Sequence, residues 1–273
     1  MDFSVVFWVF VVFAVLQPIL RQRFLESMRR RRISQIERAR GSRVILLVHR
    51  EERVSLLGLP IIRYLDMNDS EEVLRAIQLT DPNMALDIVL HTPGGLYLAA
   101  TQIARALGGH KGKVTVFVPH YAMSGGTLIA LAADEIMMCP HSVLGPLDPQ
   151  VEGLPAVSLL RVLEQKPVAE IDDETLVLAD IAQKALTQLE QTVAQLLKSR
   201  MGATAASELS KTLTSGRWTH DYAITAEEAR DMGLPVKTRM PSEVLELLAL
   251  YPQPILEMPS VEYLPTPHSR NGK

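Results

Sequence analysis

The chain has 273 residues, of which 47% are hydrophobic and 22% charged, and its formal net charge is −3. This length and composition predict one sizeable domain with additional segments. The small net charge gives no general attraction to nucleic acid, so none is predicted as a partner. A single cysteine, Cys139, excludes a framework of internal disulfides and fits a reducing compartment.

The N-terminal segment predicts a membrane anchor. Residues 3–20 form an uncharged apolar run just long enough to span a bilayer. Only Met1 and Asp2 precede it and no clear small-x-small cleavage site follows, which argues against a cleaved signal peptide. Arginines come next, four of them in a row at 29–32, and the positive-inside rule places such a flank in the cytoplasm, in contact with anionic lipid.

The rest of the chain alternates between strand and helix patterns, which favours a largely parallel sheet in an α/β fold. Strands are predicted at Arg43–His49, Asp87–Leu90, 114–118 and Glu135–Cys139. Helices are predicted from a cap at Ser70 to Leu79, at Leu96–Leu107, at Thr127–Ala133 and at Thr175–Leu197. The predicted organisation is a transmembrane anchor at 1–20, a basic juxtamembrane helix or linker at 21–41, a catalytic domain at 42–250 and a flexible, proline-containing tail at 251–273.

A candidate nucleophile lies at one strand-to-helix junction. Ser124 is followed by Gly125 and Gly126 and then by a small, apolar helix. The first N–H groups of a helix have no intrahelical partner, and preplaced N–H donors are what an oxyanion intermediate of acyl transfer requires. The alternative interpretation is that Ser124 only caps the helix and that the glycines allow tight packing.

A second glycine corner lies 30 residues earlier. The strand ending at Leu90 runs through His91 into Thr92-Pro93-Gly94-Gly95, where two glycines allow close approach of backbone and leave amide groups exposed. Consecutive strand–helix units of one parallel sheet open on the same edge, where α/β folds place their sites. Glycine corners also occur in phosphate-binding folds, so it is the pair, with a serine in the second, that favours acyl transfer.

These two motifs resemble one known group of proteins. His91-Thr92-Pro93-Gly94-Gly95 followed by Ala122-Met123-Ser124-Gly125-Gly126 is similar to the Clp protease/crotonase-like ββα-repeat fold, and in particular to signal peptide peptidase A and the serine dehydrogenase proteinases. Two more segments, 142–150 and 215–222, resemble the last group. The resemblance covers about residues 42–250. It implies a serine peptidase with Ser124 as nucleophile, the Gly94 and Gly125 amides as oxyanion hole, a homo-oligomeric assembly, and membrane-associated or unfolded polypeptides as substrates.

A serine nucleophile needs a base, and no histidine lies where the Clp pattern has one: His141 comes too early, beside Pro140. This favours a Ser–Lys dyad. Lys184, in an alanine-rich helix where burial would lower its pKa, is the first candidate, and Lys166, in the loop before that helix, is the second. The competing interpretations are an exposed partner of Asp180 for Lys184 and a solvated loop residue for Lys166.

The remaining histidines show no metal-ligand spacing, and neither a metal nor a cofactor is predicted. His91, Trp218 and His220 are interpreted as structural residues. No G-x-x-x-x-G-K-[ST] motif occurs, so energy-dependent unfolding would need a partner. Two other function classes stay open: a crotonase-like enzyme acting on an acyl thioester, and a catalytically silent membrane scaffold of the same fold.

Overall fold

The computed structural model describes residues 3–49, 52–53, 60–61 and 63–251. The predicted tail beyond Tyr251 therefore falls outside the described residues. The α-helices are α1 (Phe3–Arg40), α2 (Met67–Gln78), α3 (Tyr97–Gly108), α4 (Gly125–Ala130), α5 (Ala156–Gln165), α6 (Asp173–Met201), α7 (Ala203–Thr214), α8 (Ala226–Asp231) and α9 (Ser242–Ala249).

Most of the described strands have two residues, whereas the longest three have five to seven. The strands are β1 (Ser42–Val48), β2 (Glu52–Arg53), β3 (Pro60–Ile61), β4 (Ala85–His91), β5 (Val114–Val118), β6 (Tyr121–Ala122), β7 (Glu135–Met138), β8 (Val143–Leu144), β9 (Gln150–Val151), β10 (Leu154–Pro155), β11 (Ile224–Thr225) and β12 (Val236–Lys237).

Five strands form a parallel sheet in the order β1-β4-β5-β7-β12. β4 and β5 are buried along almost their whole length, as expected for parallel strands that are covered on both faces. One face packs on α3, α4 and α6 in the main core, which includes Ile88, Ile103 and Leu128. The other face packs a smaller cluster around Phe117 and Leu247. The predicted parallel α/β architecture is confirmed.

The second, three-stranded sheet carries the site. Its order is β11-β8-β6, with β6 parallel to β8 and β11 antiparallel to it. The bridge between Thr92 and Ala122 links the end of β4 to β6. This bridge joins the small sheet to the end of β4, so it brings the two glycine corners together.

α1 is one continuous helix that joins the apolar run to the arginine-rich segment. Among the residues that the structure describes, no helix is both long and apolar enough to cross a membrane. The predicted transmembrane helix at 1–20 is thus not supported.

Part of the arginine-rich segment is used inside the fold. The Arg29 guanidinium donates to the carbonyl of Leu250 at 2.8 and 3.0 Å, and Arg32 pairs with Glu246 of α9 at 2.6 Å. Arg40 pairs with the buried Asp87 at 2.5 Å. The end of α1 is therefore bound to the domain, with Arg40 reaching β4 of the sheet and Arg29 and Arg32 reaching α9 and the residue after it.

The helix that follows residue 65 begins earlier than predicted. Asp66, not Ser70, is the N-cap of α2, and it forms a capping box with Asp69. Ser70 is fully buried and donates its hydroxyl to Gln102 of α3 at 2.6 Å. The prediction of Ser70 as cap is wrong because its hydroxyl is used between helices.

Candidate active site

The two glycine corners lie side by side. The Met123 N–H donates to the carbonyl of Thr92 at 3.0 Å, and the Gly126 N–H donates to the carbonyl of Met123 at 2.7 Å. A Cβ atom at Gly94 would lie 2.9 Å from the Ser124 Cβ, and one at Gly126 would lie 2.6 Å from the Thr92 Cγ2. Both distances are shorter than real Cβ contacts, so any side chain at either glycine would push the corners apart.

Ser124 has an unusual backbone. Its φ and ψ are 49° and −115°, and it is one of two non-glycine residues with positive φ in the described part of the chain. Such strain persists only when the surrounding structure imposes it, and a serine on a tight strand-to-helix turn is typical of nucleophiles. The side chain makes no cap hydrogen bond to α4. Ser124 thus occupies the N-cap position, but its hydroxyl does not perform the capping that the alternative interpretation gives it.

Ser124 opens onto a cavity of about 440 Å³. The cavity walls are largely apolar, with Leu128 from α4, Leu147 from the loop after β8, and Leu189 from α6. Tyr64 and Tyr97 also line it, and their side chains are substantially exposed. The cavity therefore suits an apolar group beside Ser124, the candidate nucleophile.

Two backbone amides on the cavity wall are candidates for binding an oxyanion. Gly95 and Gly125 both line the cavity, and among the described residues neither N–H has a hydrogen-bond acceptor. The Gly94 N–H, in contrast, donates to the Thr92 hydroxyl at 3.1 Å. The predicted role of Gly94 stays a prediction, and the structure adds Gly95 as a second candidate donor, because Gly95 lines the cavity and its N–H has no acceptor among the described residues.

Asp148 and His220 lie on the same cavity wall. Asp148 is only 5% exposed; its Oδ2 accepts from the Gln150 side chain at 2.8 Å, whereas its Oδ1 has no partner among the described residues. Burial raises the pKa of Asp148, and the nearby His220 partly offsets that shift. The Nδ1 of His220 is also buried without a partner in the described part of the chain. A buried carboxylate and an imidazole thus face the cavity that holds Ser124.

Replacement of Asp148 by asparagine is expected to stabilise the fold. Because the pKa of Asp148 is raised in the folded protein, the folded state holds its proton more tightly, and stability falls as the pH rises from the ordinary aspartate pKa through the raised one. Asp148→Asn removes this cost, and we expect the Tm at pH 8 to rise by about 2–4 °C, the effect of about 1 kcal/mol in a protein of this size.

Thermal unfolding at pH 4 and pH 8 checks this expectation. The gain of Asp148→Asn over wild type should be larger at pH 8 than at pH 4. Asp231→Asn, at an exposed position of α8, serves as the matched control and should be close to wild type at both pH values. A variant that melts below wild type at pH 8 would show that ionised Asp148 stabilises the fold.

Neither candidate lysine lines the cavity in this structure. Lys184 is paired with Asp180 one turn earlier on α6, and its side chain is 66% exposed. Lys166 is an exposed residue directly after α5. The expectation of a buried Lys184 is wrong, because α6 turns Ala182 toward the core and Lys184 toward solvent. Ala185, the next residue, does line the cavity.

The sequence interpretation missed Asp148 and His220 as residues of the site. Both lie in the segments 142–150 and 215–222, which resemble the serine dehydrogenase proteinases. His220 is 96 positions from Ser124 in the sequence. Only the pairing of β11 with β8 brings the two segments together. His141 is exposed. His91 is buried, and its ring packs on those of His120 and Tyr121, in agreement with a structural role.

No group of three or more potential metal ligands occurs within the described ranges. The prediction that the protein needs no metal is left untested by this observation.

Comparison with known sequences gives one family over the whole chain. The model of a family described as ClpP-like SDH-type serine proteinases matches residues 1–273. Two uncharacterized proteins of Methanocaldococcus jannaschii are 49% and 47% identical over 264 residues, which is 97% of this chain and 90% and 92% of theirs.

Solved structures give more distant likenesses. A mutant of 1510-N, a membrane-bound stomatin-specific protease, covers 67% of this chain and 79% of its own, at 23% identity and a TM-score of 0.46. ClpP1 from Listeria monocytogenes covers 74% of this chain and 94% of its own, at 14% identity and a TM-score of 0.46. At such scores the likeness gives no detail of the site.

Proposed function

The chain belongs to the ClpP-like SDH-type serine proteinases, and on that premise we propose that it hydrolyses peptide bonds through an acyl-enzyme formed on Ser124. The observation that carries this proposal is the strained Ser124, which opens onto a cavity together with two backbone N–H groups that have no acceptor among the described residues. Acyl transfer requires at least a nucleophile and, next to it, preplaced donors that bind the oxyanion.

The base that we propose for this reaction is His220, with Asp148 supporting it. Ser124 Oγ attacks the scissile carbonyl carbon while His220 takes the hydroxyl proton, and the oxyanion accepts from the N–H groups of Gly95 and Gly125. Collapse of this intermediate breaks the C–N bond, and His220 gives the proton to the leaving amine. Water then repeats the sequence on the ester and releases the acid.

The role that we propose for Asp148 is to stabilise the protonated imidazole of His220. Burial removes water from the Asp148 carboxylate, so a nearby positive charge would stabilise its ionised form. The cation that forms on His220 during the reaction would supply that positive charge. The predicted Ser–Lys dyad stays a second candidate. For Lys184 the support is its position on α6 next to Ala185, which lines the cavity, and for Lys166 its place just before that helix.

The apolar walls support a preference for an apolar substrate side chain beside the scissile bond. Leu128, Leu147 and Leu189 supply this surface, and each methylene that they cover adds about 0.8 kcal/mol to binding. Unfolded polypeptides offer such side chains in extended, accessible backbone, whereas folded proteins bury them. This is the substrate class that we propose.

A comparison of two substrates separates the peptidase from a thioester enzyme. The full chain, purified in mild detergent, is incubated with an apolar fluorogenic peptide and, separately, with an acyl-coenzyme A. We expect hydrolysis of the peptide and no turnover of the thioester. Turnover of the thioester alone would favour the crotonase-like class, and turnover of neither would favour the silent scaffold.

Attachment to the cytoplasmic face of a membrane and assembly into a homo-oligomer remain proposals that rest on the sequence. For membrane contact the support is the arginine-rich segment, in which Arg30 and Arg31 are exposed while Arg29 and Arg32 are bound to the end of the domain. Flotation with vesicles of anionic lipid and light scattering of the purified chain test these two proposals.

A further inference from the structure

A chain of buried hydrogen bonds leads from α2 to the first glycine corner. His49, which follows β1, is 3% exposed. Its Nε2 lies 3.1 Å from the Asp69 Oδ2, and its Nδ1 lies 2.7 Å from the Thr92 Oγ1. The same Thr92 oxygen accepts from the Gly94 N–H at 3.1 Å. None of these four groups is used by the proposed reaction itself.

The direction of the hydrogen bonds is fixed by chemistry. Burial is the main cause that lowers the pKa of His49, so the ring is neutral near pH 7 and carries one proton. The Asp69 carboxylate can only accept, which assigns that proton to Nε2. Nδ1 then accepts from the Thr92 hydroxyl, and the Thr92 oxygen is left with lone pairs that accept from Gly94.

Thr92 also touches the second corner. It is fully buried, and its methyl group lies where a Cβ atom at Gly126 would clash, at 2.6 Å. Its carbonyl accepts from the Met123 N–H at 3.0 Å. One side of Thr92 therefore holds the Pro93–Gly95 turn through its hydroxyl, while the other side holds the start of α4 through its methyl group.

We propose that His49 is a positioning residue, which locks the Thr92 hydroxyl so that the glycine corner keeps the Gly95 N–H directed at the oxyanion. This inference rests on the proposed function, because it assigns a task to a group that Ser124 chemistry requires.

Gly94 and Gly95 have φ values of 100° and 153°, in the region that glycine enters readily, so the backbone itself does not fix the turn. Leu65 holds one side of it, through its N–H to the Gly94 carbonyl at 2.8 Å and its carbonyl to the Leu96 N–H at 2.9 Å. The Thr92 hydroxyl holds the Gly94 N–H on the other side.

The test uses two substitutions of His49, each of which keeps one of the two hydrogen bonds of the imidazole ring. The amide of asparagine reaches the place of Nδ1 and can still bond to Thr92, whereas that of glutamine reaches the place of Nε2 and can bond only to Asp69. We expect His49→Gln to lower kcat for an apolar fluorogenic peptide by tenfold or more with KM within about twofold, since only the transition state uses the oxyanion donors. His49→Asn should recover most of the loss.

Thr92→Val is the second variant, because it keeps the volume and the methyl contact to Gly126 while it removes the hydroxyl. It should show the same fall in kcat as His49→Gln, and the double variant should lose no more than either single one. Thermal unfolding confirms that each variant is folded.

The inference is overturned if His49→Gln and Thr92→Val keep the wild-type kcat, or if their KM rises while kcat is unchanged. It is also overturned if His49→Asn is as slow as His49→Gln. In each of these cases wild-type hydrolysis would still support the proposed function. A wild-type chain without peptide hydrolysis would instead remove both the function and this inference.

Discussion

Replacement of Ser124 by alanine is expected to lower kcat for peptide hydrolysis by about 10⁴- to 10⁶-fold. The loss is large because an acyl-enzyme cannot form without the hydroxyl, and the remaining oxyanion donors and binding contacts give only a residual acceleration. KM should change little, since the cavity walls are contributed by other residues. Steady-state hydrolysis of an apolar fluorogenic peptide measures both parameters.

Two further variants separate lost chemistry from lost structure. Ser124→Gly should be equally inactive but at least as stable as the alanine variant, because the φ of 49° suits glycine. Ser215→Ala, at an exposed serine after α7, is the matched control and should retain full activity. Activity of Ser124→Ala within tenfold of wild type would contradict the assignment of the nucleophile.

Replacement of His220 by glutamine is expected to slow acylation of Ser124 by about 10²- to 10⁴-fold, the usual contribution of a general base. The imidazole faces the cavity next to the buried Asp148, whereas the Lys184 ammonium is exposed and paired with Asp180. The rate constant for labelling by a fluorophosphonate measures this step directly, because the reagent reports the nucleophilicity of the serine.

Three comparisons decide between the candidate bases. Lys184→Ala and Lys166→Ala should label at rates within about twofold of wild type, and so should His141→Gln, in which an exposed histidine is replaced. A slow Lys184→Ala or Lys166→Ala, with a wild-type rate for His220→Gln, would restore the Ser–Lys dyad and reject His220.

The regular elements near the site could be predicted because their signals are local. The buried strands at 85–91 and 114–118 follow from short, mainly apolar runs, and glycines mark the ends of the first strand and of the helix at 97–108. The positions of Gly94 and Ser124 at two corners follow from the same pattern, since consecutive parallel strands end on one edge. The small sheet of β6, β8 and β11 has two-residue strands, which leave no periodicity to read.

The base could not be predicted in the same way. Helical periodicity identifies α6, but the choice of which residues face the core depends on the packing of α5 and α7 against it. Lys184 consequently faces solvent, whereas Ala179 and Ala182 are buried and Ala185 lines the cavity. The composition of the helix alone does not tell the exposed positions from the buried ones. His220 reaches the cavity through a strand pairing between segments 80 residues apart, Val143–Leu144 and Ile224–Thr225.

The central claim is that Ser124 is a nucleophile, and mapping of a fluorophosphonate adduct tests it most directly. The full chain in mild detergent is labelled at pH 7–8, digested, and analysed by mass spectrometry. We expect one adduct per chain, on the peptide that contains Ser124, and none on Ser124→Ala. A folded wild-type protein that remains unlabelled, or an adduct on another serine, would contradict it.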